Sequence, residues 1–206
     1  MTAFVDPPRR TFGRRPAPAA ATSPLLRALA GRARRRTSTR AVLLDLDGTL
    51  VREVPYNSDP DRVEPMPYAL EALDLLRAAG IQVAVVANQS GIGRGLLTER
   101  EAAAVNARVE QLLGPFDAWA LCPHGPLDGC ACRKPRPGLV HEAAQRLGLR
   151  PEECVVAGDV VGDVLAARKA GARPMMITPR RLGGAGLGPD HWAPDLATAA
   201  RIILSR

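Results

Sequence analysis

Two carboxylates two positions apart, Asp45 and Asp47, close the apolar run Ala41-Val42-Leu43-Leu44 and are followed by Gly48-Thr49. Residues two apart in extended chain face the same side, so the two acids converge on one site. Like charges held that close repel unless a cation stands beside them. Gly48 supplies a sharp turn, and Thr49 offers a hydroxyl to the turn or to a ligand. This pattern suits a magnesium site with a carboxylate nucleophile at the carboxyl end of a strand. An ordinary post-strand turn also reads Asp-x-Asp-Gly, so the rest of the chain has to decide between the two.

A second cluster is Cys122-Pro123-His124 followed by Cys130-Ala131-Cys132. Three thiols and an imidazole within eleven residues match a tetrahedral zinc site of the closed, structural kind. Clustered thiols in a chain without a visible export signal point to metal before disulfide. The 122–132 loop is rich in Pro and Gly and cannot fold through its own core, so a metal would organise it. It would also fix Arg133 and Lys134, which follow directly. Cys154 begins a strand and reads as a small buried hydrophobe.

The elements that must position these groups alternate from residue 41. Strands are expected at 41–44, 81–86, 116–121, 154–157 and 174–177. Helices are expected at 68–79, with Leu70, Leu73 and Leu76 on one face, then at 98–113, 138–147, 161–170 and 196–204. Thr98 with Glu101 forms a capping box. Gly80, Gly148 and Gly171 close helices, and 183–188 is a glycine-rich turn. Strand-helix alternation implies an α/β fold, an open, doubly wound, mostly parallel Rossmann-like sheet with helices on both faces. Ligands bind such sheets beyond the carboxyl ends of the strands. At those ends stand Asp45 and Asp47, then Asn88, Gln89 and Ser90, then Cys122 and His124 with Arg133 and Lys134, then Asp159.

Four separated segments occur in order: Asp45-x-Asp47-Gly48-Thr49, Asn88-Gln89-Ser90-Gly91-Ile92-Gly93-Arg94-Gly95, Arg133-Lys134-Pro135 and Gly158-Asp159-x-x-x-Asp163. Together they resemble the motifs of the haloacid dehalogenase superfamily of phosphatases. The resemblance is to the small-cap, zinc-containing branch that includes heptose bisphosphate and histidinol phosphatases. It covers about residues 41–180 and leaves 1–40 aside. It implies that Asp45 attacks phosphorus and forms an aspartyl-phosphate. Asp47 then serves as general acid and base. Mg²⁺ is held by Asp45, the carbonyl of Asp47 and Asp159, with Asp163 acting indirectly or as a helix-start acid. Lys134 neutralises the site. The same resemblance assigns zinc to Cys122, His124, Cys130 and Cys132. It makes Glu53-Val54-Pro55-Tyr56-Asn57 a flap, the minimal cap, and it gives Glu53, Tyr56, Asn88, Gln89, Ser90 and Arg133 to the substrate. One position departs from the pattern: Ala87 stands where the family has Thr or Ser, whose hydroxyl binds the phosphoryl group.

Charge and composition bound the alternatives. Residues 1–40 carry ten Arg and one acid, hence +9 against a whole-chain +7, so 41–206 sum to −2. The basic character belongs to the Arg/Pro-rich 1–40 tail, read as a disordered, solvated extension in which Leu25, Leu26 and Leu29 could make a helical turn. Nucleic acid, if bound at all, is expected only through that tail. No stretch approaches a membrane span. The expectation is a cytoplasmic, monomeric, Mg²⁺-dependent phosphomonoesterase domain over 41–206. Its partner is a small phosphorylated metabolite, a sugar phosphate or bisphosphate. Histidinol phosphate, a polynucleotide 3′-phosphate and an inert phosphate-binding role are the rival readings.

Overall fold

The computed structural model describes residues 38–179 and 191–206. Residues 1–37 of the basic tail and the 183–188 turn lie outside the described residues. The strands are β1 (Ala41–Leu44), β2 (Gln82–Asn88), β3 (Ala118–Cys122), β4 (Cys154–Gly158), β5 (Arg173–Ile177) and β6 (Trp192–Ala193). The helices are α1 (Ala69–Ala78), α2 (Glu99–Leu113), α3 (Gly138–Arg146), α4 (Val161–Ala170) and α5 (Leu196–Leu204). All strand pairs are parallel, and the order is β3-β2-β1-β4-β5-β6.

The apolar run of β1 is buried on both faces, as a central parallel strand requires. Val42 and Leu44 pack with α1, α2 and α5, while Ala41 and Leu43 pack with α3 and α4. The sheet is therefore wound on both sides. α2 starts with the expected capping box: Glu101 N–H donates to Thr98 Oγ1 (3.2 Å) and Thr98 N–H to Glu101 Oε2 (2.8 Å).

Some expected details shift. The apolar face of α1 is Ala69, Ala72, Leu73 and Leu76, and Leu70 is exposed. Its neighbour Ala69 is the residue that shares the 3.6-residue stripe with 72, 73 and 76. β2 runs on to Asn88 and β3 to Cys122, because parallel pairing continues through Ala87↔Leu121 and Asn88↔Cys122. β6 was not expected, since two residues are too short to show any periodicity.

The chain lays β2 and β3 on one side of β1, then crosses to lay β4, β5 and β6 on the other. The crevice at that reversal lies beyond the neighbouring ends of β1 and β4.

Candidate active site

At this crevice the ladder decides which side chains meet. Leu44 pairs with Ala157, and Asp45 N–H donates to Ala157 O (2.9 Å). The first residues past each strand therefore sit side by side, and oxygens of Asp45, Asp159 and Asp163 all come within 4.8 Å of one another. Gly48 has φ +77°, and a Cβ there would lie 2.3 Å from Asp159 Oδ2. Only glycine allows the β1 turn to approach this acid so closely. Thr49 Oγ1 donates to Asp159 Oδ1 (3.2 Å).

Lys134 supplies an internal cation. Its Nζ lies 2.8 Å from Asp45 Oδ1 and 2.5 Å from Asp163 Oδ1, with the lysine side chain 2% exposed. Its backbone is pinned by Asn88, whose Oδ1 accepts Lys134 N–H (3.0 Å) and whose Nδ2 donates to Lys134 O (3.2 Å). Burial pulls the ammonium pKa down, but Asp45 and Asp163 outweigh it, so the pKa is raised and the lysine stays charged. Asp163 is fully buried, and its other oxygen accepts Val160 N–H (3.2 Å) at the start of α4. It thus caps a helix and holds Lys134 at once.

Three carboxylates against one lysine leave a surplus of negative charge. Asp163 is pushed up to about 6 by burial and then by Asp45. Asp159 is raised by the same two causes, in the same order. Hard oxygen donors that strain against their own ionisation fit a divalent cation such as Mg²⁺.

Asp47 stands on the turn Leu46–Val51, closed by Gly48 N–H to Val51 O (2.8 Å). Its carboxyl is pushed up to about 6, first by the protein packed around it, then by Asp45, Glu53 and Asp159, with Lys134 opposing. It opens onto a cavity of about 260 Å³ whose wall includes Glu53, Tyr56, Asn88, Gln89 and Ser90. Gln89 donates to Asn106 Oδ1 (2.9 Å), and its buried Oε1 has no partner among the described residues. Asn88 lines the cavity, but both ends of its amide are occupied by the Lys134 backbone. Arg133 donates to His124 O (3.3 Å) and lies outside this wall. Ala87 is buried among Val85, Leu46 and Ala157 and brings no hydroxyl.

The thiol cluster closes beside this site. Cys122 Sγ lies 3.2 Å from Cys132 Sγ, 3.7 Å from Cys130 Sγ and 3.6 Å from His124 Nδ1, and His124 Nδ1 lies 3.3 Å from Cys132 Sγ. A tetrahedral Zn–S length of about 2.3 Å makes S···S edges of about 3.8 Å, so the cage has the size zinc needs. Burial, then the Cys132 contact, pushes the Cys122 thiol up to about 12. Only a cation within the cage would let it bind as thiolate.

The spacing of the Gly93-Arg94-Gly95 run gives Arg94 no role, yet the structure brings it to the flap. Arg94 donates to Tyr56 Oη, and its guanidinium carbon lies 5.3 Å from the Tyr56 ring centre.

Known proteins are similar to this chain in sequence and fold. The family model for haloacid dehalogenase-like hydrolases matches residues 54–171. The D-glycero-beta-D-manno-heptose-1,7-bisphosphate 7-phosphatase of Pseudomonas aeruginosa is 36% identical over 145 residues, which span 68% of this chain and 82% of that protein. The D-glycero-alpha-D-manno-heptose-1,7-bisphosphate 7-phosphatase of Mycobacterium tuberculosis is 32% identical over 157 residues, 71% of this chain and 81% of that protein. The crystal structure of D,D-heptose 1,7-bisphosphate phosphatase from B. bronchiseptica, complexed with magnesium and phosphate, superposes with a TM-score of 0.72 at 32% identity. It covers 81% of this chain and 99% of that one.

Proposed function

The chain belongs to the haloacid dehalogenase-like hydrolases, and on that premise we propose that it removes one phosphate from a sugar bisphosphate of the heptose 1,7-bisphosphate kind. It is a phosphatase, and phosphatases of this family work with Mg²⁺. The observation that carries the reading is the buried Lys134 gripped between Asp45 and Asp163 at the mouth of the β1/β4 crevice. Asp45 Oδ1 receives both the Leu46 N–H (2.8 Å) and Lys134 Nζ. Oδ2 is therefore the oxygen left to attack phosphorus. As the Asp45–phosphorus bond forms, the bond to the leaving oxygen breaks and Asp47 gives that oxygen its proton. A pKa near 6 leaves Asp47 able to hold a proton and able to lose it. Asp47 then takes a proton from the water that attacks phosphorus, and the bond to Asp45 breaks with release of phosphate. Asp45 and Asp159 would hold Mg²⁺, which would supply charge neutralisation to the phosphoryl group, while Asp163 holds Lys134 in place. Lys134 keeps Asp45 ionised and in place.

The relatives' names favour a heptose bisphosphate. A cavity of about 260 Å³ suits a small sugar ester. Glu53 in its wall can accept hydrogen bonds from sugar hydroxyls. Zinc in the 122–132 cage would fix the loop that delivers Lys134.

The test is phosphate release with Mg²⁺ from heptose 1,7-bisphosphate, histidinol phosphate and a 3′-phosphorylated oligonucleotide, for the native protein and Asp45→Asn. The expected result is the highest kcat/KM on the bisphosphate and a loss of at least about 10⁴-fold in the variant. Equal release by both proteins would remove the nucleophile assignment, and a preference for the oligonucleotide would remove the sugar.

A further inference from the structure

Tyr56 occupies a position that costs the chain something. Its φ is +50°, a left-handed conformation unusual for a bulky residue. Its ring lies over Gly91, where a Cβ would come within 2.8 Å of Tyr56 Cδ1. The flap and the 88–97 loop are thus shaped to put this ring in the cavity wall. Strain of this kind persists where the surroundings require it, often at ligand sites.

What the ring holds is Arg94. The Tyr56 hydroxyl accepts from Arg94 Nη1, and the guanidinium sits 5.3 Å from the ring centre. The Arg94 backbone is fixed by its N–H to Ser90 O (3.2 Å) and by Gly93 N–H to Pro123 O (2.8 Å). Arg94 has no carboxylate partner among the described residues, whereas the exposed Arg52, Arg146 and Arg201 pair with acids at 3.1, 2.7 and 2.5 Å. A guanidinium has five N–H donors in a planar fork, and Tyr56 takes one. The remainder is an unneutralised fork held against Tyr56, itself part of the wall of a cavity that also includes Asp47 and Glu53.

Such a fork pairs with phosphate two bonds at a time. We infer that Arg94, braced by Tyr56, is a specificity-determining residue that binds the non-reacting phosphate of a bisphosphate while the reacting phosphate lies at Asp45. The inference rests on the phosphatase reading and adds to it the reason for preferring two phosphates over one.

Binding separates the two ideas. In the Asp45→Asn background with Mg²⁺, calorimetry gives Kd for heptose 1,7-bisphosphate and for heptose 7-phosphate, with and without Arg94→Ala. Arg94→Ala is expected to weaken the bisphosphate about 10- to 100-fold and the monophosphate by less than about twofold, since two charge-assisted bonds are lost only for the former. Tyr56→Phe, which removes the brace but not the charge, should weaken bisphosphate selectivity by a smaller factor. Equal weakening of both esters would make Arg94 a flap support, and no weakening of either would make it a surface residue; each overturns the inference. Selective binding lost with Arg94, in a native protein that hydrolyses neither ester, would leave the inference standing and sink the activity. Brisk hydrolysis without dependence on Arg94 would do the reverse.

Discussion

Two clusters in this molecule crowd groups that repel one another, and they solve the problem differently. At the end of β1 and β4, Asp45, Asp159 and Asp163 meet, and Lys134 stands among them. In the β3–α3 loop, Cys122, His124, Cys130 and Cys132 meet with no protein cation among the cluster's side-chain partners. From Pro123 to Arg133 the only buried residue is Gly125, and Leu127 is 96% exposed. The acid cluster is therefore a preformed site on rigid strand ends, to which a metal adds chemistry. The thiol loop has no core of its own, so a metal supplies its shape.

The largest difference should appear on metal withdrawal. Removing zinc with a selective chelator, Mg²⁺ kept in excess, is expected to abolish activity and to lower the melting temperature. Structural zinc contributes on the order of 10 kcal/mol or more in small peptides. The loop also carries Lys134 and anchors the 88–97 loop through Gly93 N–H to Pro123 O. Removing Mg²⁺ alone should abolish turnover with little change in far-ultraviolet dichroism. Full activity in protein with far less than one zinc per chain would erase the contrast.

Next comes the internal cation. Lys134→Ala leaves the buried Asp163 and the partly buried Asp45 without their partner, a change expected to cost about 3–5 kcal/mol. Denaturant titration measures it. Asp163→Asn, which keeps the Lys134–Asp45 pair, should cost less. Equal stability in Lys134→Ala would mean that the acids are already solvated or protonated, and that the site is less preformed than its geometry implies.

Proton linkage gives a smaller effect of known sign. Asp163 is raised to about 6, so the folded state binds its proton more tightly than the unfolded chain does. This group makes metal-free stability fall as pH rises from about 4 to about 6. Mg²⁺ must displace that proton below pH 6 and need not above it. At a Mg²⁺ concentration a hundredfold over Kd at pH 7.5, stabilisation should be about 2.7 kcal/mol, and it should be smaller at pH 5. Melting curves with and without Mg²⁺ at both pH values check this, and a larger shift at pH 5 would reverse the sign.

The sequence made the strand-end groups readable because their placement follows from period and ladder alone. Asp45 and Asp159 end apolar runs, and parallel pairing of Leu44 with Ala157 brings them together. The thiol spacing was equally direct. Asn88 was legible as a cavity residue but not as the clamp on Lys134, a pairing across 46 residues that no local pattern encodes. Tyr56 and Arg94 meet across 38 residues through a left-handed turn, and single-chain periodicity carries no trace of such a contact. Buried elements announce themselves through hydrophobic period, whereas exposed flaps are set by loop geometry.

Ala87 tests the acid side of the comparison at its finest grain. It lies in β2 directly before the clamp residue Asn88, 2% exposed, in an apolar cluster with Val85, Leu46 and Ala157. A threonine there adds a hydroxyl at the position where the family resemblance implies a phosphoryl contact. One hydrogen bond to a charged transition state is worth about 1.5 kcal/mol at the low end, or about tenfold in rate. Ala87→Thr is therefore expected to raise kcat about tenfold and to leave the zinc-dependent part of stability untouched, since Cys122, Cys130 and Cys132 belong to the other core cluster. If the hydroxyl fails to reach the phosphoryl group, it is buried without a partner, and both stability and turnover should drop. Unchanged kcat with stability intact would show that the Ser90 hydroxyl in the cavity wall already completes the pocket. The acid site would then be preformed in its hydrogen-bond donors as well as in its charges.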